Sequence, residues 1–289
     1  MKLTSISEIK KIIERHGFTF NKGYGQNFLT NEAIPRRIAD ACGAGPLDGV
    51  FEIGPGIGTL TAELSERCGR VLAVEIDARL IPVLGETLSD RGNVKVLNAD
   101  VMKLDLKRIV PEEFPGMRVF VCANLPYYIT TPVLMLLIES GAPLSGITVM
   151  VQKEVADRLC SVPGDPKYGA VTASVARFGT VSRLFTVPAG CFMPAPKVDS
   201  AVIKITPYEK KPYSVADEKT LSRVIRGAFA QRRKTLLNSL GSEFTELEKD
   251  EISRAIADAG LAPGVRGERL GIKEFAAIAD GIFTREEKR

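Results

Sequence analysis

Between residues 50 and 151, five short apolar runs alternate with stretches of helical periodicity, and no other feature constrains the fold as much. The runs are VFEI (50–53), VLAVE (71–75), VKVLN (94–98), VFVCA (119–123) and ITVMV (147–151). Helices are expected from about Thr59 to Arg67, over 78–89 and over 131–140. Strands covered on both faces lose in–out alternation and read as continuous apolar runs, and helices between them supply parallel crossovers. The expected fold class is therefore α/β, a Rossmann-like parallel sheet. Ahead of it, SISE at 5–8 has capping-box spacing for a first helix carrying Ile6, Ile9, Ile12 and Ile13. Beyond it, 153–160 and 168–178 read as helices, and VSRLFTV and VDSAVIKITP as strands. After Pro207 the strand signal stops, and 217–289 is helical in pattern, with breaks at Gly241, Gly260 and Pro263–Gly267. Composition and periodicity switch within 206–214, which predicts a first domain over 1–207 and an all-helical domain over 208–289. Residues 1–45 of the first domain would supply N-terminal helices and a glycine-hinged covering loop, KGYGQNFLTN (22–31).

Composition removes several chemistries. The chain has one histidine, His16, near its N-terminus, which argues against a Ser-His-Asp hydrolase and excludes an HExxH protease and any multi-histidine metal site. Cys42, Cys68, Cys122, Cys160 and Cys191 are too far apart for a CxxC pair. Five scattered cysteines do not form a secreted disulfide framework, which points to a reducing, cytoplasmic compartment. No metal is expected. The net charge of +4 is compatible with a polyanionic partner without demanding one. The longest apolar runs, such as VLMLLI, are too short to span a bilayer, and no signal-peptide pattern opens the sequence.

The chemistry gathers at the strand ends. EIGPGIGTLT (52–61) joins a strand to a helix, and Gly54, Gly56 and Gly58 permit a tight turn and close ligand approach. A dinucleotide site is the nearest rival, but its fingerprint is GxGxxG. The GxGxG spacing here, stiffened by Pro55, favours S-adenosylmethionine (SAM). Glu75 ends the second strand, Asp100 follows the third and Asn124 the fourth. In open α/β sheets ligands bind beyond these ends. Glu75 can accept both ribose hydroxyls of an adenosyl group, and Asp100 its adenine amino group. Any one such acid is commonly just a solvated loop residue; the ordered set is not.

NLPY (124–127) supplies what an aromatic amine needs to attack a methyl sulfonium. The Asn124 side-chain oxygen and the Leu125 carbonyl can accept the amino hydrogens and favour a more tetrahedral nitrogen. Pro126 fixes the turn and Tyr127 offers a ring to stack the base. An ordinary strand-to-helix turn fits the same four residues equally well. In FMPAPKVDSAV (192–202) Phe192 can stack on the other face of a base, though a core aromatic beside a proline turn fits too. RVIRGAFAQRRKTLLNSL (223–240) holds Arg223, Arg226, Arg232, Arg233 and Lys234 and no acid, which suits phosphate contacts better than a plain solvated face.

In sequence order QNFL, EIGPGIGTLT, VEID, NAD, NLPYYIT, FMPAPKVDSAV and FAQRRKTLLN resemble the KsgA-type ribosomal RNA adenine dimethyltransferases over about residues 20–280. The resemblance implies a SAM-dependent methyltransferase domain followed by a small helical domain. It implies transfer of four methyl groups to N6 of two adjacent adenines in the 3′-terminal hairpin loop of 16S rRNA. The substrate would be a late small-subunit precursor, the role ribosome biogenesis, and the enzyme a cytoplasmic monomer. By position, SAM contacts fall at Asn27, Leu29, Gly54, Glu75, Asp100 and Asn124, with Tyr127 and Phe192 sandwiching the adenine. Gly23-Tyr24 stand where the family is often more basic. The sister family, the 23S rRNA methyltransferases of macrolide resistance, shares NLPY and the glycine loop. A non-catalytic small-subunit assembly factor is a third reading, and a nicotinamide-dependent oxidoreductase a fourth.

Overall fold

The structure is a computed structural model describing residues 1–18, 25–231, 233–262 and 264–287. The chain forms two units, 1–156 with 181–207 and 157–180 with 208–289.

The first unit opens with α1 (Ile6–His16), a short strand β1 (Phe28–Leu29) and α2 (Ala33–Cys42). Strands and helices then alternate: β2 (Gly49–Ile53), α3 (Thr59–Ser65), β3 (Arg70–Glu75), α4 (Ile81–Thr87), β4 (Val94–Asn98), α5 (Leu106–Glu113), β5 (Val119–Asn124), α6 (Thr130–Glu139) and β6 (Leu144–Gln152). Helix α7 (Lys153–Leu159) and the short helix α8 (Ala170–Val175) precede β7 (Gly179–Val187), β8 (Phe192–Met193) and β9 (Ser200–Pro207). The main sheet has the order β4-β3-β2-β5-β6-β9-β7. Its first five strands are parallel, and β9 runs antiparallel to β6. Chain order reverses between β2 and β5, where crossovers depart in opposite directions and leave a crevice beyond the carboxyl ends.

The apolar runs fold as expected where both faces are covered. Strand β2 is buried along its whole length, and β3 and β5 are buried at all but one terminal residue. VKVLN departs from this pattern: β4 is the sheet edge, and its residues are half-buried or exposed. Helix α1 buries Ile9 and Ile12 against Phe28, Ile57 and Leu80, so this amphipathic face lies beside the glycine loop. Fully burying each isoleucine contributes about 1.5–3 kcal/mol. His16 also ties α1 to α4, with Nε2 2.6 Å from Glu86 Oε2. The SISE capping box does not form. Ser5 precedes the helix, but its hydroxyl lies 2.8 Å from Ser7 Oγ, and Glu8 pairs with Lys11 instead.

The second unit comprises α8, α9 (Glu218–Ala230), α10 (Leu236–Glu243), α11 (Lys249–Asp258) and α12 (Ile272–Glu286). The composition switch assigns 157–180 to the first domain, and the structure corrects that. Tyr168 and Ala173 are buried in the core of Leu221, Leu240, Ile256 and Phe275, and the Tyr168 hydroxyl donates to Leu270 O at 2.9 Å. A long-range apolar anchor of this kind leaves no local composition signal. Gly241 does not break a helix; it lies inside α10. Helix α9 ends at Ala230 and α10 begins at Leu236, whose N donates to Val265 O at 2.8 Å. Helices α9 and α10 pack closely at Gly227, where a Cβ would stand 2.8 Å from Glu243 Cβ. No helix among the described residues is long and apolar enough to cross a membrane.

Candidate active site

Beyond the carboxyl ends of β2, β3, β4 and β5 lies a crevice lined by Asn27, Leu29, Gly54, Gly56, Glu75, Asp100, Asn124, Leu125, Pro126, Tyr127 and Phe192. These are the eleven candidate positions, nine from the motifs and Asn27 and Leu29 from the family resemblance, and the fold brings all of them to one place.

The glycine loop shows why it needs three glycines. Gly54, Gly56 and Gly58 have φ of 69°, 61° and 88°, the left-handed region that side chains disfavour. A Cβ on Gly56 would stand 3.2 Å from the Phe28 ring, while one on Gly54 would meet nothing within 4 Å, so that backbone is open to a ligand. Gly54 N donates to Val74 O at 2.9 Å, which ties the turn to β3.

Glu75 ends β3, and backbone amides hold its carboxylate. Oε1 accepts from Asp77 N at 2.9 Å and Oε2 from Gly56 N at 3.2 Å. Burial raises its pKa, opposed by those amide hydrogen bonds. Each oxygen keeps a lone pair for a further donor, so the pair suits a vicinal diol. Asp100 has a local role as well: Oδ1 accepts from Met102 N at 3.0 Å and caps a short turn.

Residues 25–29 line another wall of the crevice. Gln26 Nε2 donates to Asp77 Oδ2 at 2.8 Å, and Asn27 Nδ2 to Gly25 O at 3.0 Å. Strand β1 pairs with β8, placing Leu29 opposite Phe192. Of the expected covering loop, residues 25–29 line the crevice, and Gly23-Tyr24 lie outside the described residues.

At the end of β5, Asn124 Nδ2 donates to Asn27 O at 3.4 Å. That contact commits the amide nitrogen and leaves Oδ1 for an incoming donor. Leu125 N donates to Met150 O at 3.2 Å, which fixes the 124–125 peptide. Tyr127 is half-buried, and its hydroxyl lies 2.7 Å from Ser200 Oγ. Phe192 is only 5% exposed and packs with Leu29, Val187 and Val202, so the core-aromatic alternative describes most of its surface even as it lines the crevice.

Motif reading missed Glu52. It is buried in β2, lines the crevice, and its Oε2 finds no hydrogen-bond partner among the described residues. The available signal was a carboxylate inside an otherwise apolar strand. Burial pushes its pKa up to about 8. The folded state therefore keeps a proton that the unfolded chain releases near its ordinary value. This contribution to stability is complete below that value and is lost as pH rises through about 8. Within that window the loss is about 1.4 kcal/mol per pH unit. Glu52→Gln is expected to gain stability relative to the parent as pH rises from 5 to 8, as urea midpoints at several pH values will show. A constant difference would contradict the assignment.

The basic run is not a uniform cationic face. Arg223 pairs with Glu246 at 2.5 Å and Glu286 at 2.8 Å, and Arg226 pairs with Glu243. Acids absent from the run arrive from α12 and from α10 and the turn after it. Arg223 and Arg226 therefore each have a carboxylate partner within the protein, although the Arg226 side chain stays 67% exposed. Arg233 and Lys234 are exposed, and Arg232 lies outside the described residues. Among the described residues, no group of three or more His, Cys, Asp or Glu could hold a metal ion.

Comparison with known proteins places this geometry. The model of the family described as ribosomal RNA adenine dimethylase matches residues 17–276. Proteins named ribosomal RNA small subunit methyltransferase A from Streptococcus pneumoniae serotype 2 and Streptococcus thermophilus are each 46% identical over 285 residues, covering 98% of this chain and 98% of each relative. A dimethyladenosine transferase from Plasmodium falciparum superposes with a TM-score of 0.73 at 26% identity, covering 90% of this chain and 98% of that one. The 23S rRNA methyltransferase ErmE superposes with a TM-score of 0.66 at 25% identity, covering 89% of this chain and all of that one.

Proposed function

We propose that this chain, which belongs to the ribosomal RNA adenine dimethylase family, transfers methyl groups from SAM to N6 of two adjacent adenines in the 3′-terminal hairpin loop of 16S rRNA. The substrate is a late small-subunit precursor, and the enzyme acts as a cytoplasmic monomer during ribosome biogenesis. The 46% identity to small-subunit methyltransferases over nearly the full chain supports that choice over 23S rRNA.

SAM, when bound, supplies an electrophilic methyl group on a sulfonium. The crevice fits it: an open glycine turn at Gly54, an amide-held diol acceptor in Glu75, a second acid in Asp100, and a covering loop through Asn27 and Leu29. Asn124 Oδ1 and the Leu125 carbonyl accept the two amino hydrogens of the adenine, favouring a localised lone pair on N6. Pro126 holds the turn that presents them. Tyr127 and Phe192 offer the aromatic faces. Flipping a base costs a few kcal/mol, and stacking returns about 1–3 kcal/mol per base. A strong general base is unnecessary, because the N6 ammonium cation formed as the methyl leaves sulfur is strongly acidic and gives its proton to water. The single histidine, paired with Glu86, has no part in this scheme.

The observation carrying this reading is the Asn124 amide, whose nitrogen is tied to Asn27 O at the end of β5, beside the glycine turn and Glu75. Equilibrium binding tests it: SAM binds and NADH does not. NADH binding without SAM binding would return the chain to the oxidoreductase reading. Neutralising Arg233 and Lys234 together is expected to weaken RNA affinity and reduce the slope of log affinity against log salt by about one to two. An unchanged slope would make both ordinary surface residues.

A further inference from the structure

Strand β9 begins with Ser200, which is fully buried yet polar. A buried hydroxyl needs a partner. Ser200 Oγ has one in the Tyr127 hydroxyl, 2.7 Å away. Its neighbour Asp199 is tied down on both sides: its carbonyl accepts from Lys153 N at 2.9 Å, and Oδ1 accepts from Ala189 N at 3.0 Å in the turn leading to Phe192. Ser200 also holds fixed register opposite Gln152 at the end of β6. The hydroxyl partner is therefore mounted on sheet, not on loop.

We propose that Ser200 is a positioning residue for base recognition, fixing the Tyr127 ring through its hydroxyl so that one face stays presented to the target adenine. This rests on the reading of Tyr127 as a stacking residue. The phenol O–H and its in-plane lone pair both lie in the ring plane. A short hydrogen bond there therefore sets the twist of the ring as well as the position of its tip. An aromatic side chain is otherwise loosely held about its last torsion. A site whose supporting contacts are absent is present but imprecise. Ser200 touches no reacting atom, so its effect appears in how RNA is used and not in how SAM is held.

The experiment compares Ser200→Ala, Tyr127→Phe, their double variant, Ser200→Thr and Tyr127→Ala in methyl transfer to small-subunit precursors, with SAM affinity measured in parallel. Ser200→Ala and Tyr127→Phe are each expected to lower kcat/KM for RNA about tenfold with SAM affinity unchanged. The double variant should be no worse than either single one, and Ser200→Thr should recover most of the loss. Tyr127→Phe removes the same hydrogen bond without altering β9, so the test survives a folding defect in Ser200→Ala. Additive losses, a parallel loss of SAM affinity, or full activity in Tyr127→Phe would overturn the role of Ser200. Full activity in Tyr127→Ala would instead overturn the stacking reading beneath it.

Discussion

Asn124→Ala is expected to abolish methyl transfer, by about 10²–10³-fold in kcat or more, while SAM still binds. The effect is large because the adenine amine is a poor nucleophile whose lone pair is delocalised into the ring. An acceptor aimed at its hydrogens stabilises the transition state more than the ground state, and only such differential contacts raise the rate. Asn124 also contacts Asn27 O at 3.4 Å across the crevice, so SAM binding should weaken modestly as well. Single-turnover rates with saturating SAM separate the two effects. Retention of full single-turnover activity would remove Asn124 from the chemistry.

Glu75→Ala is expected to remove SAM binding, not the chemical step. The carboxylate is the buried hub between β3 and the glycine turn, holding Asp77 N and Gly56 N. Two further hydrogen bonds from a ribose diol to a charged acceptor, at about 1.5–3 kcal/mol each, amount to at least about a hundredfold in affinity. The alanine also strands two amides, so the turn that Gly56 shapes should loosen. Glu75→Gln preserves the volume and separates these contributions: the fold should hold while affinity still falls. Calorimetric titration with SAM reads both variants. Unchanged affinity in either would place the diol elsewhere.

Much of this was legible along the chain because it is local. Strands β2, β3 and β5 announce themselves as apolar runs because both faces are covered, and their ends deliver Glu75 and Asn124 wherever the sheet forms. The three glycines were legible because a left-handed turn admits little else. What was not legible depends on partners distant in sequence. Arg223 and Arg226 read as free cations until Glu243, Glu246 and Glu286 arrive from 17 to 63 residues away. Residues 157–180 leave the first domain because Tyr168 reaches Leu270, 102 residues on. Strand β4 has the composition of a covered strand, but its place at the sheet edge is decided by topology. Glu52 and Ser200 are single polar residues in apolar strands, and their meaning lies in what they face.

Adenine N6 methylation in the small subunit is the reaction proposed for this crevice. Its most direct test is methyl transfer from labelled SAM to immature small subunits lacking the modification, with the labelled bases mapped. N6,N6-dimethyladenosine is expected at two adjacent positions of the 3′-terminal hairpin loop of 16S rRNA, and none with the Asn124→Ala enzyme. Label confined to 23S rRNA, or no transfer to any rRNA, would contradict it.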